Sequence, residues 1–248
     1  MSYVKRILCL ANAYKNGGTC VAGIEIESPQ AVRGGWIRPV SARPTTELTR
    51  YECQYQNNQI PRVLDILDVP LLRPTPQLHQ TENHLIDAAR PWVKVGEYPR
   101  NQLGKLCDQP RGLWTNGGSS VWGHFDCVSQ TEVRSERHSL LLIQPKDFTV
   151  HVEISHPDAK RAYRGNFTYN DRYYSFSLTD PLARGAFAGH MEGDYRVRDT
   201  YICVSLTMPF VRDARCYKLV AAIIGQQPFV ENRVWKSPYS PSATPRIR

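Results

Sequence analysis

The sequence lacks most of the signatures that mark an enzyme or a membrane protein. No P-loop, G-x-G-x-x-G, G-x-S-x-G, H-E-x-x-H or deaminase-type H-x-E…P-C-x-x-C pattern occurs in its 248 residues, which lowers the case for nucleotide-driven, dinucleotide, hydrolase or zinc chemistry. The seven cysteines (Cys9, Cys20, Cys53, Cys107, Cys127, Cys203 and Cys216) are odd in number and form no C-x-x-C or Cys/His cluster. Neither a zinc ribbon nor a disulfide framework is suggested, and a reducing cytoplasm suits such usage. No apolar run approaches membrane-spanning length, and the opening M-S-Y-V-K-R-I-L has no long apolar stretch of the signal-peptide kind. These absences lead us to expect a cytoplasmic protein with no cofactor, no metal and no membrane partner. Lysine is scarce as well, with 8 against 23 arginines.

What is present is arginine, proline and glycine. The net charge is +8, and the basic surplus is spread along the chain. Guanidinium forks bind oxyanions bidentately and stack on flat rings, so the arginine excess fits recognition of phosphates and bases; a GC-rich genome would give the same excess. With 18 prolines and 16 glycines the composition suits a loop-rich or all-β protein. The length allows one large domain or two small ones, with a core that needs no covalent staples.

Short strands are predicted at 4–10, 20–26, 35–40 and 64–72, then at 140–143, 148–154, 202–206 and 217–224. Phe148–Ile154 alternates strictly at period two. A helical turn is expected over Thr81–Ala89, capped by Thr81 or Asn83, and a helix over Pro181–Met191. The polar stretch 130–137 reads as a linker, giving a first unit over 1–130 and a second over 138–232. Lys236–Arg248, with three prolines, reads as a flexible basic tail. Between 164 and 181, R-G-N-F-T-Y-N-D-R-Y-Y-S-F-S-L-T-D-P reads as a hairpin closed by Asn170-Asp171, residues that tolerate positive φ. One face would hold Phe167, Tyr169, Tyr174, Phe176 and Leu178. The other would hold Arg164, Asn166, Thr168, Tyr173, Ser175 and Ser177. About five strands and a brief helical piece per half fit a small Greek-key barrel, repeated; OB, SH3-like and PUA-like barrels share that pattern.

Several blocks carry a family resemblance. R-I-L-C-L-A-N…G-G-T-C-V-A-G-I, G-G-W-I-R-P-V-S and L-D-I-L-D-V-P-L with Q-T-E-N-H-L-I-D resemble the first half of the prokaryotic dual OB-containing domain family. The hairpin and C-Y-K-L-V-A-A-I-I resemble its second half. The resemblance implies an all-β protein of two tandem OB-like Greek-key barrels with minor helix. By analogy it also implies nucleic-acid binding, in a setting of anti-phage defence.

Candidate contacts follow from residue type. Trp36 and Arg38, two apart on one strand, suit stacking on a base and pairing with its phosphate; a core tryptophan beside a surface arginine is the plainer alternative. Lys15 and the amides of the Asn16-Gly17-Gly18 turn could meet a phosphate. Lys160, Arg161, Arg164, Arg172 and Tyr173 interleave basic groups with an aromatic on the hairpin, as a single-strand platform requires. His151 and His156, near Glu153, Asp158 and Asp180, contain the groups for acid–base cleavage of RNA, or are simply exposed barrel residues. Gln80, Glu82, Asn83 and Asp87 either form a capped helical start that ties a loop down or make a metal or catalytic site. The expectation is a non-catalytic binder of DNA or RNA with exposed bases, acting beside an effector protein encoded nearby. The alternatives are a protein-interaction module and a metal-independent nuclease.

Overall fold

The computed structural model describes residues 2–15, 17–26, 33–114, 126–155, 160–225, 229 and 232–234. The first half contains β1 (Tyr3–Lys15), β2 (Gly18–Glu25), β3 (Trp36–Val40), α1 (Arg50–Cys53), β4 (Asp65–Pro74), β5 (Asn83–Ile86) and β6 (Val93–Glu97). The strands run β1-β2-β3-β5-β4-β6, and β1 also pairs with β4, so five strands close into a barrel. The parallel β3–β5 contact amid antiparallel neighbours gives the order 1-2-3-5-4-1 of an OB barrel. α1 lies between the third and fourth strands. Thr49 caps it, accepting from Glu52 N while the Glu52 carboxylate accepts from Thr49 N.

The second half contains β7 (Cys127–Ser129), β8 (Leu140–Ile143), β9 (Lys146–Ser155), β10 (Lys160–Tyr169), β11 (Arg172–Leu178), α2 (Pro181–Ala186), β12 (Gly193–Arg196), β13 (Tyr201–Leu206), β14 (Arg215–Ile224) and β15 (Asn232–Val234). Strand order is β15-β12-β9-β10-β11-β14-β13-β8, again with one parallel pair, β11 with β14. β8 and β9 are one run of chain bent at Gln144–Pro145, so the OB order returns to its start. The helix again follows the third strand; Asp180 caps α2 and Pro181 stands at its first turn. β7 precedes the expected linker and pairs with β14, placing residues 127–129 in the second sheet.

The hairpin has the predicted register, with Tyr169 opposite Arg172, Thr168 opposite Tyr173 and Phe167 opposite Tyr174. Asn170 and Asp171 both take positive φ, 47° and 59°, matching the twist of the flanking strands. Phe167, Tyr174 and Phe176 pack ring on ring in the second core, with centroids 5.5 Å apart. Two expectations fail. Residues 83–86 form strand β5, beside β3, rather than a helical turn. The helix after Asp180 stops at Ala186, short of Met191. The 236–248 segment lies outside the described residues.

β1 and β2 are buried on both faces. Ile7, Cys9 and Val21 point into the first barrel, while Leu8, Leu10 and Ile24 point away, toward Leu142 and Ile224 of the second. Farther along, Ala11, Ala13 and Ala22 meet Leu140, Cys203, Ala221 and Ala222. Small residues on both sides bring the barrels into close contact. At the β1 bulge between Cys9 and Ala11, a Cβ on Gly23 would lie 2.1 Å from Leu8 O; only glycine fits there. Two backbone bonds also stitch the halves together, Asp108 N to Leu142 O at 2.7 Å and Tyr14 N to Thr179 O at 3.1 Å.

Candidate nucleic-acid interface

An OB barrel takes its ligand on the outer face of its second and third strands, flanked by the loops joining strands one and two and strands four and five. In the first barrel that face is β2–β3, and it is covered. Its Ala22, Ile24 and Trp36 belong to the apolar seam against the second barrel. Arg38 is only 3% exposed; its Nη1 lies 3.1 Å from Glu82 Oε1, and that carboxylate also accepts from Ser139 Oγ, just before β8. Arg38 is therefore an internal ion-pair residue, not a phosphate contact. Trp36 is half-buried, with Nε1 donating to Asp108 Oδ2 at 3.2 Å, so its ring is a seam residue and not an open stacking platform. Lys15 Nζ donates to Thr46 Oγ1 at 2.8 Å and burial lowers its pKa. The turn residue Asn16 lies outside the described residues.

The loop joining the fourth and fifth strands of the first barrel is likewise engaged. Gln80 Nε2 donates to Leu206 O at 3.2 Å, and Thr81 Oγ1 donates to Arg137 O at 2.6 Å. His79, fully buried, has its pKa lowered by burial. The Gln80–Asn83 block is thus a tie between barrels. The expected capped helical start is absent, since β5 begins at Asn83, but the block does fasten a loop, and it fastens it to the other half of the molecule.

In the second barrel the matching face, β10–β11, is divided. At one end Arg164 donates to Ser175 Oγ at 2.9 Å, Ser175 O at 2.5 Å and Asp126 Oδ2 at 3.0 Å. That guanidinium is held by the protein itself, so the structure makes it a support for the face. At the other end Tyr173 is 42% exposed, directly across from Thr168. Beside it Asn166 Nδ2 and His151 Nδ1 both reach Asp194 Oδ1, at 3.4 and 2.9 Å. The hydrogen bond to Asp194 raises the His151 pKa, against burial and with help from Glu153 and Glu192. Lys160 is exposed but stands eight residues from Thr168, at the far end of β10. Arg161 falls on the opposite side of the strand, in phase with Tyr163, and its Nη1 donates to His190 O at 2.5 Å, so the structure does not bring either residue to Tyr173. Arg172 is exposed but stands opposite Tyr169, on the other face from Tyr173. Of the suggested nuclease partners, His156 and Asp158 lie outside the described residues. Asp180 is buried, accepting from Leu182, Ala183 and Ile223 amides.

Sequence reasoning passed over the segment between β13 and β14. There Phe210 and Val211 are exposed, at 45% and 105%, beside Arg212 and Tyr217. The signal was present as M-P-F-V-R-D-A-R, an aromatic and two arginines in a loop. Lys218 was also missed: 1% exposed, its amine 6.0 Å from the Phe176 ring, with burial lowering its pKa to about 8. No cluster of three or more metal-type ligands occurs among the described residues. Two polar clefts of about 300 and 320 Å³ flank the β8–β9 bend, at the small end of ligand pockets. The open strand face and its loops are therefore the better candidates.

A family model for the dual OB-containing domain matches residues 5–223. The chain belongs to the dual OB-containing domain family. No curated protein and no solved structure matches it. In this dual OB protein the two barrels differ in the outer face of their second and third strands: the first spends that face on the seam, and the second leaves part of it open.

Proposed function

We propose that the protein binds nucleic acid without cleaving it, through the second barrel, and that single strands or otherwise exposed bases are its ligand. The observation that carries this reading is the asymmetry of the two OB faces: β2–β3 is sealed, while β10–β11 leaves Tyr173 exposed, with Lys146 of β9 next along the same face, across Thr168, and Lys160 exposed at the far end of β10. An exposed ring on a face that also carries cations is what a single strand requires, since every base has a face to stack and every nucleotide a phosphate to neutralise. The net charge of +8 adds non-specific attraction to a polyanion. The first barrel serves as the rigid base on which the second is mounted.

The proposal extends to context by family analogy: a cytoplasmic sensing or targeting subunit in a prokaryotic defence-type system, working with an effector encoded nearby. No helix among the described residues is long and apolar enough to cross a membrane. Binding to short labelled single strands should be tight at low salt and weaken steeply as salt rises. Absence of binding to both DNA and RNA strands at low salt would refute the reading. The nuclease alternative draws on the His151–Asp194 contact at 2.9 Å, which could orient the imidazole as a general base. Strands left intact after long incubation with pure protein would remove it.

A further inference from the structure

The loop 207–214 is built more firmly than a connection needs to be. Thr207 N donates to Tyr217 O at 2.9 Å and Phe210 N to Arg215 O at 2.9 Å. Ala214, with φ 53°, turns the chain back and donates to Phe210 O at 2.8 Å. Above this frame stands a layered cluster. Phe210 and Tyr217 meet edge to face with centroids 5.1 Å apart. The Arg212 guanidinium carbon lies 5.7 Å from one ring centre and 5.6 Å from the other. Asp213 accepts from Tyr217 Oη at 2.6 Å and from Arg212 Nε at 3.1 Å, which fixes both. Yet the tip is not buried: Phe210 is 45% exposed, Val211 wholly so, and the Arg212 side chain 72%.

An aromatic ring and a guanidinium held in place at the surface have no folding role that their exposure would favour. A flat ring beside a planar cation is a surface for a second flat ring. Within the loop Arg212 and Asp213 balance, and Arg215 at the start of β14 makes the loop and its exit net positive, which suits a polyanion. Because hydrogen bonds and ring contacts already order these side chains, little entropy would be lost on binding. The loop's base is also braced from outside, where Gln80 of the first barrel donates to Leu206 O.

We infer that the 207–214 loop is a base-stacking site for an unpaired nucleobase, with Phe210 and Arg212 as the stacking pair and Arg215 placed for the adjoining phosphate. The inference rests on the nucleic-acid reading above and sharpens it: the strand must have at least one unstacked base to offer, so duplex ends and continuous duplex are poor ligands.

The test is fluorescence anisotropy with a short single-stranded oligonucleotide and with a blunt duplex of the same sequence, at low salt. A single strand containing 2-aminopurine reports stacking directly. Phe210→Ala should weaken single-strand binding by roughly 5- to 100-fold, leave the weak duplex binding unchanged and abolish the 2-aminopurine emission change. Phe210→Trp should preserve all three readings. Retained single-strand affinity in both Phe210→Ala and Arg212→Ala, with Tyr173→Ala defective, would overturn the inference and leave the broader reading standing. Equal losses on duplex and single strand would overturn it as well. A wild-type protein that binds no oligonucleotide would end both. Thermal melting of each variant at the wild-type midpoint shows that the loop, not the fold, was altered.

Discussion

Replacing Arg38 by alanine separates the two readings of that residue. Its side chain is 4% exposed and that of Glu82 5%, with the charged atoms 3.1 Å apart. Removing one partner of a buried ion pair leaves the other charge desolvated and costs about 3–5 kcal/mol. For a chain of this size, each kcal/mol moves the melting midpoint by roughly 2–4 °C, so Arg38→Ala should lower it by about 6–20 °C. Total stabilities of only ~5–15 kcal/mol make this a large fraction of what is available. Glu82→Gln should do the same to a lesser degree, because its amide can still meet Ser139. The double variant Arg38→Met/Glu82→Leu should recover most of the loss, since an apolar pair of similar volume leaves no charge buried. Differential scanning calorimetry measures the midpoint, and anisotropy below every midpoint measures affinity. If Arg38→Ala melts within a degree or so of wild type and loses oligonucleotide binding, Arg38 is a contact and the sealed-face argument fails.

Three further outcomes follow from other parts of the structure. Tyr173→Ala should weaken single-strand binding by roughly 5-fold or more with an unchanged melting midpoint, the ring being 42% exposed; an unchanged affinity would move binding off β10–β11. Gly23→Ala should destabilise by about 1–3 kcal/mol or more, because its Cβ would meet the Leu8 carbonyl at 2.1 Å, and a wild-type denaturation curve would contradict the close approach. His151 has a raised pKa in the folded state, so the stability it contributes is fully present below its ordinary value of 6.5 and is lost as pH rises through the raised one; Asp194→Asn should flatten that dependence in melts taken across neutral pH, and a midpoint difference independent of pH would refute it.

The hairpin was legible because period-two alternation and a turn that tolerates positive φ are both local properties. The barrel order was legible only through the family blocks, since many small barrels share the same strand spacing. Arg38 and Trp36 misled for a specific reason. Alternation puts both on the outer face of β3, and an outer face normally meets water. What covers it is another barrel, more than a hundred residues away in sequence. A trace of that cover was visible: I-L-C-L-A in β1 and L-V-A-A-I-I in β14 are apolar on both faces, as strands packed on both sides must be. The misread helix at 81–89 has the same origin. Its buried polar residues answer to partners in the other half, which hides the strand alternation. The 207–214 loop lacked any periodicity to draw attention to it.

The seam also bears on how such a gene can change. Cut the chain between its halves and each barrel would present its share of an apolar wall, with Leu8, Leu10 and Ile24 on one side and Leu140, Leu142 and Ile224 on the other. The first would also keep a buried arginine and glutamate without Ser139 to complete them. The two barrels cannot be traded singly among other proteins as interchangeable modules. A recombination event must move the pair, and novelty has to enter at the outward loops, where length and composition can vary without touching the wall.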